Sequence, residues 1–291
     1  MYRPQEVIAG ASSFLRLARL SNAILPCLAL IVGYEVSRGA RIHWLVISLV
    51  VVTLLHSVVT VWNDIADEQA DKHNGITRIA TLRHQKLYRP MIMSLWIVAG
   101  IALVLLCFLP LLASVWMAAF LLASWLYNDR PLQASRRPML SIVILAPAYS
   151  FIPFMMGVSL GVFSWAALAL AIFWTLGRGS LSLLKDYKDA VGDAKAYKKT
   201  FLLVYGHTTT ARLSFVLAAI GYVGCIAVVA SLVEYAVWAT ITLAAVTIWL
   251  LWHRARVFKE SQYKGLDKVF HDCVDYEIIF NVAVIAWLHT R

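Results

Sequence analysis

Long apolar stretches separated by short polar links dominate the chain. Nine of them reach or approach the length of roughly 20 residues that a helix needs to cross the hydrocarbon core of a bilayer. They lie at residues 20–38, 43–62, 90–108, 111–127, 139–160, 163–184, 211–232, 235–252 and 276–290. The pattern predicts an all-α fold, a polytopic membrane bundle of about nine transmembrane helices. We expect a single domain over residues 1–291, beginning with an amino-terminal arm at 1–19.

Basic residues are distributed unevenly between the two sets of polar links. Of the 26 Lys and Arg residues, 22 fall in the amino-terminal arm or in the links that follow even-numbered spans, and three fall on the other side. Cytoplasmic loops carry an excess of Lys and Arg. We therefore predict an integral protein of a bacterial inner membrane or its equivalent, whose amino terminus and larger polar loops face the cytoplasm.

Composition narrows the classes of function. Hydrophobic residues make up 61% of the chain and charged residues 14%, whereas soluble domains usually carry about 25% charge. Because membrane topology accounts for the net charge of +10, we expect the lipid bilayer, and no nucleic acid, as a partner. The four cysteines lack CxxC or Cys/His spacing and predict neither a disulfide framework nor a metal cluster.

Two acidic sequences follow apolar segments and share one spacing. Each of them, NDIADEQAD at 63–71 and DYKDAVGD at 186–193, places three carboxylates at positions i, i+3 and i+7, on one face of a helix. Neighbouring carboxylates about 5–6 Å apart repel one another, which favours binding of a divalent cation. The six carboxylates are Asp64, Asp67, Asp71, Asp186, Asp189 and Asp193.

The two acidic sequences also form a weak internal repeat. Four predicted spans separate them, so both repeats have the same orientation, and a pseudo-twofold axis along the membrane normal would bring the motifs face to face. Mg²⁺ binds few protein carboxylates and shares its other positions with water and phosphate oxygens. We therefore predict a Mg²⁺ cofactor, held by all six aspartates, and a polyphosphate ligand. The alternative is that both motifs are solvated loop faces.

Several other polar residues are candidates for the same site. Arg78, Lys188 and Lys199 flank the motifs and would bind diphosphate oxygens, unless they serve only membrane topology. Arg178 lies inside a predicted span, where a charge is costly, and is therefore a candidate for catalysis. The alternative is that it snorkels or caps a kink at a nearby glycine. His56, also within a span, is interpreted as a hydrogen-bonded packing residue.

Four sequences together resemble the UbiA superfamily of intramembrane prenyltransferases. NDIADEQAD is similar to the family's NDxxDxxxD motif, and DYKDAVGDAKAYKKT is similar to its second motif. LYNDRPLQASRRP resembles the tyrosine-containing loop that precedes a basic pair, and RLARLSNAILP resembles the first-helix pattern. The resemblance implies substrate-binding roles for Asn22, Asn63, Tyr127, Arg136 and Arg137.

The resemblance further implies a UbiA-like bundle in which two Mg²⁺ ions bind a prenyl diphosphate through both motifs. The expected reaction transfers the isoprenyl group to a lipophilic acceptor, most often an aromatic ring, as in quinone or related lipid biosynthesis. Asp64, Asp67, Asp186 and Asp189 would be catalytic, and Asp189 or Asp67 would accept the acceptor's proton. Aromatic side chains would shield an allylic cation from water; the candidates are Trp62, Tyr127, Tyr149, Phe151, Phe154 and Trp174.

The chain departs from the family pattern near the expected acceptor site, and other functions stay open. Leu181 and Ser182 replace an Arg-Glu pair, and no proline follows Arg78. The same fold could perform terpene cyclisation or transfer phosphoribose to a polyprenyl phosphate. A divalent-cation transporter is the non-enzyme alternative. It is disfavoured because the carboxylates gather at one membrane surface and no acidic residue lies mid-span to continue a path.

Overall fold

The protein is described here by a computed structural model that covers residues 4–39, 41–129, 132–258 and 263–290. Within these ranges the regular elements are helices, which confirms the all-α prediction. The α-helices are α1 (Pro4–Ala18), α2 (Ile24–Val36), α3 (Ile42–Ala66), α4 (Glu68–His73), α5 (Arg78–His84), α6 (Tyr88–Leu106), α7 (Leu111–Asn128), α8 (Pro138–Tyr149), α9 (Phe151–Val158), α10 (Trp165–Lys195), α11 (Phe201–Leu232), α12 (Ala236–Ala255) and α13 (Tyr263–His289).

Seven candidate membrane spans, by length and apolar composition, occur in the described part of the chain. They are formed by α3, α6, α7, α8 together with α9, α10, α11, and α12 with its short extension. Helices α1 and α2 make an eighth if they are counted as one span bent by 48°. The ninth predicted segment lies within α13, a helix of 27 residues outside that set. The predicted polytopic bundle is therefore confirmed, with nine an approximate count.

The predicted amino-terminal arm contains α1, which is packed into the bundle. Helix α1 lies against α6 and α3. Phe14 and Leu17 are buried in an apolar cluster with Val61 and Met91. The chain then turns sharply into α2 at Arg19, whose φ of 44° lies in the left-handed region. The arm consequently places Arg19 at a fixed point beside the end of α3.

Helix α2 joins the two halves of the bundle. It packs against α3 and α9 on one side and against α13 on the other. Its crossing with α9 requires glycine, because a Cβ atom at Gly33 would overlap the carbonyl of Phe154 and one at Gly157 would overlap the carbonyl of Leu30. The two backbones therefore touch directly at this crossing.

Helix α10 carries the second acidic motif and is continuous from Trp165 to Lys195. It passes through Gly177 without a break, so the suggested kink near Arg178 is wrong. Helices α10 and α11 cross closely at Gly221 of α11, where a Cβ atom would press on the backbone of Gly177. The two backbones therefore lie against each other at this point.

Candidate active site

The first acidic motif lies where α3 meets α4. Asp67 forms the junction between these helices, with φ −94° and ψ 7°. The N–H groups of Asp67 and Asp71 still donate to the carbonyls of Asn63 and Asp67, both at 2.9 Å. The helical hydrogen-bond pattern therefore continues across the junction. The structure has two helices, α3 and α4, joined at Asp67, where the sequence predicted a single helix.

The second motif is docked onto the first by Asn74, which follows α4. Its side-chain oxygen accepts a hydrogen bond from the N–H of Gly192 at 2.7 Å, and its amide donates to the carbonyl of Asp189 at 3.4 Å. A Cβ atom at Gly192 would collide with the Asn74 side chain. The glycine of the second motif is thus needed for the contact between the motifs.

Lys198 connects the two motifs directly. Its Nζ lies 2.8 Å from a carboxylate oxygen of Asp67 and 3.1 Å from one of Asp193, and its side chain is only 7% exposed. Burial acts to lower the pKa of Lys198, but the two carboxylates outweigh it and hold the pKa above its ordinary value. Lys198 is therefore a buried cation between the motifs, and the predicted face-to-face arrangement holds in the structure.

Two arginines converge on Asp64 from different segments. Arg78, at the start of α5, donates to one carboxylate oxygen at 3.1 Å. Arg19, at the turn between α1 and α2, pairs with the other oxygen. The Asp64 side chain is 5% exposed, while both guanidinium groups are partly open to solvent. The predicted binding residue Arg78 thus lies in the site together with an arginine that the sequence analysis did not select.

Tyr127 and Lys185 interact electrostatically with both motifs. The Lys185 ammonium is 5.7 Å from the centre of the Tyr127 ring. It interacts electrostatically with Tyr149, Asp67 and Asp189. Tyr127 likewise interacts with Asp67 and with Asp186 of the second motif. The predicted tyrosine therefore lies near carboxylates of both motifs.

The carboxylates suit Mg²⁺ in combination with a phosphate ligand. Burial, together with the charges of Asp64, Asp67 and Asp189, raises the pKa of Asp71 to about 6. Among the described residues, no three His, Cys, Asp or Glu side chains form a preassembled metal site. Mg²⁺ normally binds one or two carboxylates and completes its shell with water and substrate phosphates, so the residues present fit that mode of binding.

The shifted pKa of Asp71 predicts a pH effect on the metal-free protein. The folded form holds this proton more tightly than the unfolded form, so the contribution of Asp71 to stability falls as pH rises from about 4 to about 6. Asp71→Asn should therefore raise the melting temperature more at about pH 7.5 than at about pH 5, relative to wild type. Thermal unfolding in detergent with a chelator measures this. Equal differences at both pH values would contradict the assignment.

Some predicted site residues lie at the edge of the cluster. Asn63 donates to a carboxylate oxygen of Asp67 at 3.4 Å. Asn22 is exposed in the turn after Arg19, and its N–H donates to the Arg19 carbonyl. Arg136 is half-buried and its Nε is buried without a hydrogen-bond partner. Their substrate-binding roles stay predictions.

Other predicted binding residues are exposed or lie in the apolar core. Lys188 is exposed and lies 5.4 Å from the ring of Phe270 on α13. Lys199 and Arg137 are exposed as well. Of the predicted aromatic liners, Phe154 and Trp174 pack in the apolar core instead. The binding roles of Lys188, Lys199 and Arg137 stay predictions.

Arg178 neither snorkels nor faces the acidic motifs. Its Nη1 is 3.2 Å from a carboxylate oxygen of Glu277, and both side chains are at most 3% exposed. Nearby, Arg254 donates to the Tyr222 hydroxyl at 3.4 Å and to Ser214 at 3.5 Å. Glu277, which the sequence placed at the start of the ninth span, lies in the middle of α13. These residues form a buried polar cluster that links α10 to α11, α12 and α13.

His56 also differs from its sequence interpretation. It is fully buried, and neither ring nitrogen has a hydrogen-bond partner in the structure as described. Its ring packs edge-on against Tyr149 with the centroids 4.9 Å apart. His56 is therefore a packing residue of the apolar interior, without the hydrogen bond that was expected.

The sequence did not single out Arg19 or Asn74, and it ranked Lys185 and Lys198, in the basic run around the second motif, below Lys188 and Lys199. Arg19 was assigned to the amino-terminal arm. The left-handed turn that brings it to Asp64 has no recognisable sequence pattern. Lys198 is adjacent to Lys199 in the same basic run, and only the turn after α10 determines which of the two faces inward. Asn74 belongs to an Asn-Gly pair, which signals a turn but does not reveal what the side chain binds.

The fold and site define a class of protein: helical bundles within the membrane that hold two facing aspartate motifs among basic side chains. Residues 23–278 match the UbiA prenyltransferase family. Because that match covers most of the chain, the protein belongs to the UbiA prenyltransferase family and is an integral membrane prenyltransferase.

Individual relatives agree with this assignment. The chain is 26% identical over 235 residues to the digeranylgeranylglyceryl phosphate synthase of Methanoculleus marisnigri, covering 79% of each protein. A solved structure from work on the digeranylgeranylglyceryl phosphate synthase in membranes has a TM-score of 0.71 at 21% identity, over 96% of this chain and 99% of that one. A UbiA homologue from Archaeoglobus fulgidus, bound to GPP and Mg²⁺, has a TM-score of 0.71 at 16% identity, over 94% and 99%.

Proposed function

We propose that this prenyltransferase moves an isoprenyl group from a prenyl diphosphate to a lipid acceptor, in a reaction that depends on Mg²⁺. The observation that carries the proposal is the bridge from Asp67 through Lys198 to Asp193. Carboxylates of two motifs from distant parts of the chain thus contact the same ammonium group. The Mg²⁺ and GPP bound by the A. fulgidus relative support the same chemistry.

The residues at the site have separable roles in this reaction. Bound Mg²⁺ would act as a Lewis acid on the diphosphate oxygens, held by the aspartates of both motifs. Arg78 and Arg19 lie on the solvent side of Asp64, where their guanidinium groups can bind the remaining oxygens. Lys185 lies beside Tyr127, and we propose that the two side chains orient the oxygen of the diphosphate from which the prenyl chain departs.

The reaction breaks one bond and forms one. The bond between C1 of the prenyl chain and the diphosphate oxygen breaks, and its electron pair leaves with pyrophosphate. C1 then bonds to an oxygen or carbon of the acceptor, which loses a proton. We propose Asp189 or Asp67 as the group that accepts this proton. Neighbouring Tyr127 and Tyr149 would face the developing positive charge with their rings, which favours it.

The relatives support a hydroxyl-bearing glyceryl phosphate lipid as the acceptor. Two of them are named for a digeranylgeranylglyceryl phosphate synthase, whereas the sequence prediction was an aromatic ring. An acceptor with its own phosphate needs cationic partners beyond those that hold the diphosphate. The site offers four cations, Arg19, Arg78, Lys185 and Lys198, which the diphosphate and the acceptor phosphate would share. An aromatic acceptor is the second candidate.

The proposed reaction takes place at the cytoplasmic face. The distribution of Lys and Arg supports a cytoplasmic amino terminus and cytoplasmic aspartate motifs. The packing of α1 against α3 and α6 supports one continuous domain that includes the amino-terminal arm. A cysteine placed at exposed Lys195 should be labelled by a membrane-impermeant reagent only when the cytoplasmic side is accessible.

Product analysis tests the proposed function. The purified protein is given prenyl diphosphates of increasing length with Mg²⁺, together with either an isoprenyl glyceryl phosphate or an aromatic acid. We expect pyrophosphate and an ether-linked lipid with the first acceptor, and neither with a chelator present. A prenylated aromatic product would favour the second acceptor class.

The other functions give different results in the same assay. A hydrocarbon product without any acceptor would indicate cyclisation, and consumption of phosphoribose diphosphate with a polyprenyl phosphate would indicate phosphoribosyl transfer. Absence of every product, together with cation flux in vesicles, would indicate transport.

A further inference from the structure

Lys198 places a buried positive charge between the two motifs, on carboxylates that are predicted to bind the metal. Its Nζ contacts one oxygen of Asp67 and one of Asp193, and 7% of its side chain is exposed. A divalent cation bound by the same two carboxylates would lie close to the ammonium group, and the two positive charges would repel each other. Binding of a metal ion by Asp67 and Asp193 therefore competes with Lys198.

The turn after α10 fixes Lys198 in this position. The N–H of Lys198 donates to the carbonyl of Asp193 at 2.9 Å, and that of Tyr197 donates to Ala194 at 3.1 Å. This is the pattern of a Schellman helix end, with Tyr197 at the left-handed position, where φ is 55°. Glycine is usual there, and another residue costs about 1–2 kcal/mol. The chain adopts an unfavourable conformation at the residue that directs Lys198 between the motifs.

The neighbouring lysines do not share this environment. Lys195, in the last turn of α10, and Lys199, next in sequence, are both exposed. Lys198 is buried and has two carboxylate partners. One of the three lysines at positions 195–199 is therefore buried and two are exposed. A general excess of positive charge does not explain why Lys198 lies between Asp67 and Asp193.

We propose that Lys198 is a built-in competitor of the metal, which neutralises the two motifs before substrate arrives and transfers to the diphosphate when the metal binds. This inference rests on the proposed function. Without diphosphate, metal binding opposes the Lys198 ion pairs and offers the ammonium no new partner. With diphosphate, the displaced ammonium gains phosphate oxygens as new partners. Metal and diphosphate therefore bind cooperatively, and Lys198 is a source of the coupling.

The proposal predicts that the effect of Lys198→Gln on Mn²⁺ affinity depends on whether pyrophosphate is present. Lys198→Gln removes the competitor, so the protein should bind Mn²⁺ about five- to tenfold more tightly than wild type when no diphosphate is present. In the presence of inorganic pyrophosphate the same variant lacks a cation for the phosphate oxygens, so its Mn²⁺ affinity should equal that of wild type or fall below it.

Titration of the full-length protein in detergent, followed by the electron paramagnetic resonance of free Mn²⁺, measures both affinities. The dissociation constant of the complex between Mn²⁺ and pyrophosphate is measured separately, and the free Mn²⁺ concentration is corrected for it. Lys195→Gln is the matched control, since it removes an exposed lysine of the same helix end and should leave both affinities unchanged. Lys198→Arg keeps the charge and should retain the coupling.

The outcomes separate this inference from the proposed function. If Lys198→Gln binds Mn²⁺ no more tightly than wild type without pyrophosphate, the inference is overturned while metal binding stands. If neither protein binds Mn²⁺ with or without pyrophosphate, the metal-dependent function fails and the inference fails with it.

A measurement on wild type alone covers the case in which Lys198→Gln does not fold. Acylation of Lys198 by an amine reagent, followed by mass spectrometry, should increase when Mn²⁺ is added and decrease again when pyrophosphate joins it. Constant labelling of Lys198 across these three conditions would overturn the inference. Lys195 serves as the internal reference, because its exposed amine should react equally in all of them.

Discussion

Asp64→Asn and Asp186→Asn should each lower kcat/KM by about 10²–10³-fold or more. Each change keeps the shape of the side chain and removes one negative charge from a different motif. If both motifs bind the same metal-bound diphosphate, the loss of either carboxylate weakens stabilisation of the departing pyrophosphate. Steady-state kinetics with a prenyl diphosphate and the acceptor that gives product in the assay proposed above measures the effect.

Glu68→Gln is the matched control for these variants. Glu68 lies in the same acidic stretch, between Asp67 and Asp71, but it pairs with Lys72 at 3.1 Å and Arg83 at 3.3 Å outside the cluster. Partly exposed ion pairs of this kind contribute little to stability, so turnover should stay close to wild type. Near-normal turnover of either aspartate variant would refute the two-motif site.

Arg178→Met and Glu277→Leu should each destabilise the protein by about 3–5 kcal/mol. Each single change leaves the opposite charge buried without its partner, at a depth where water cannot replace it. The double variant Arg178→Met with Glu277→Leu removes both charges and should recover most of that loss. Thermal unfolding of the four proteins in one detergent gives the comparison.

Activity of the double variant then decides the role of Arg178, which the sequence suggested to be catalytic. If the arginine only joins α10 to α13, the double variant should recover activity together with stability. A folded double variant without turnover would show that Arg178 contributes to the reaction itself. Recovery of neither property would mean that Arg254 and Tyr222 depend on this ion pair for their own burial.

The membrane fold and the two aspartate motifs could be predicted because they depend on local patterns. Span length follows from continuous apolar runs, and the shared three-then-four spacing identifies Asp64 and Asp186 as equivalent positions. The partners of these carboxylates could not be predicted in the same way. Arg19 reaches Asp64 through a left-handed turn, and Lys198 reaches Asp67 through the end of a helix, so both depend on three-dimensional placement.

The partners of charged residues inside the bundle could not be predicted from the sequence either. Arg178 was recognisable as an unusual charge within a span, but Glu277 is 99 residues away in sequence, and no local pattern connects them. A basic residue beside the motifs can likewise be read from the sequence, whereas its direction cannot. Lys199 was preferred over Lys198, and the two differ only in where the helix end turns each side chain.

The glycine crossing of α2 and α9 bears on how the protein can move. Gly33 and Gly157 bring the two backbones into direct contact, and neither helix can rotate or shift there without driving side chains into main-chain atoms. The crossing therefore restricts movement of α2 relative to α9. We expect any rearrangement that accompanies substrate binding to involve the segments that ion pairs hold together, such as those of Arg19 with Asp64 and Lys198 with Asp67.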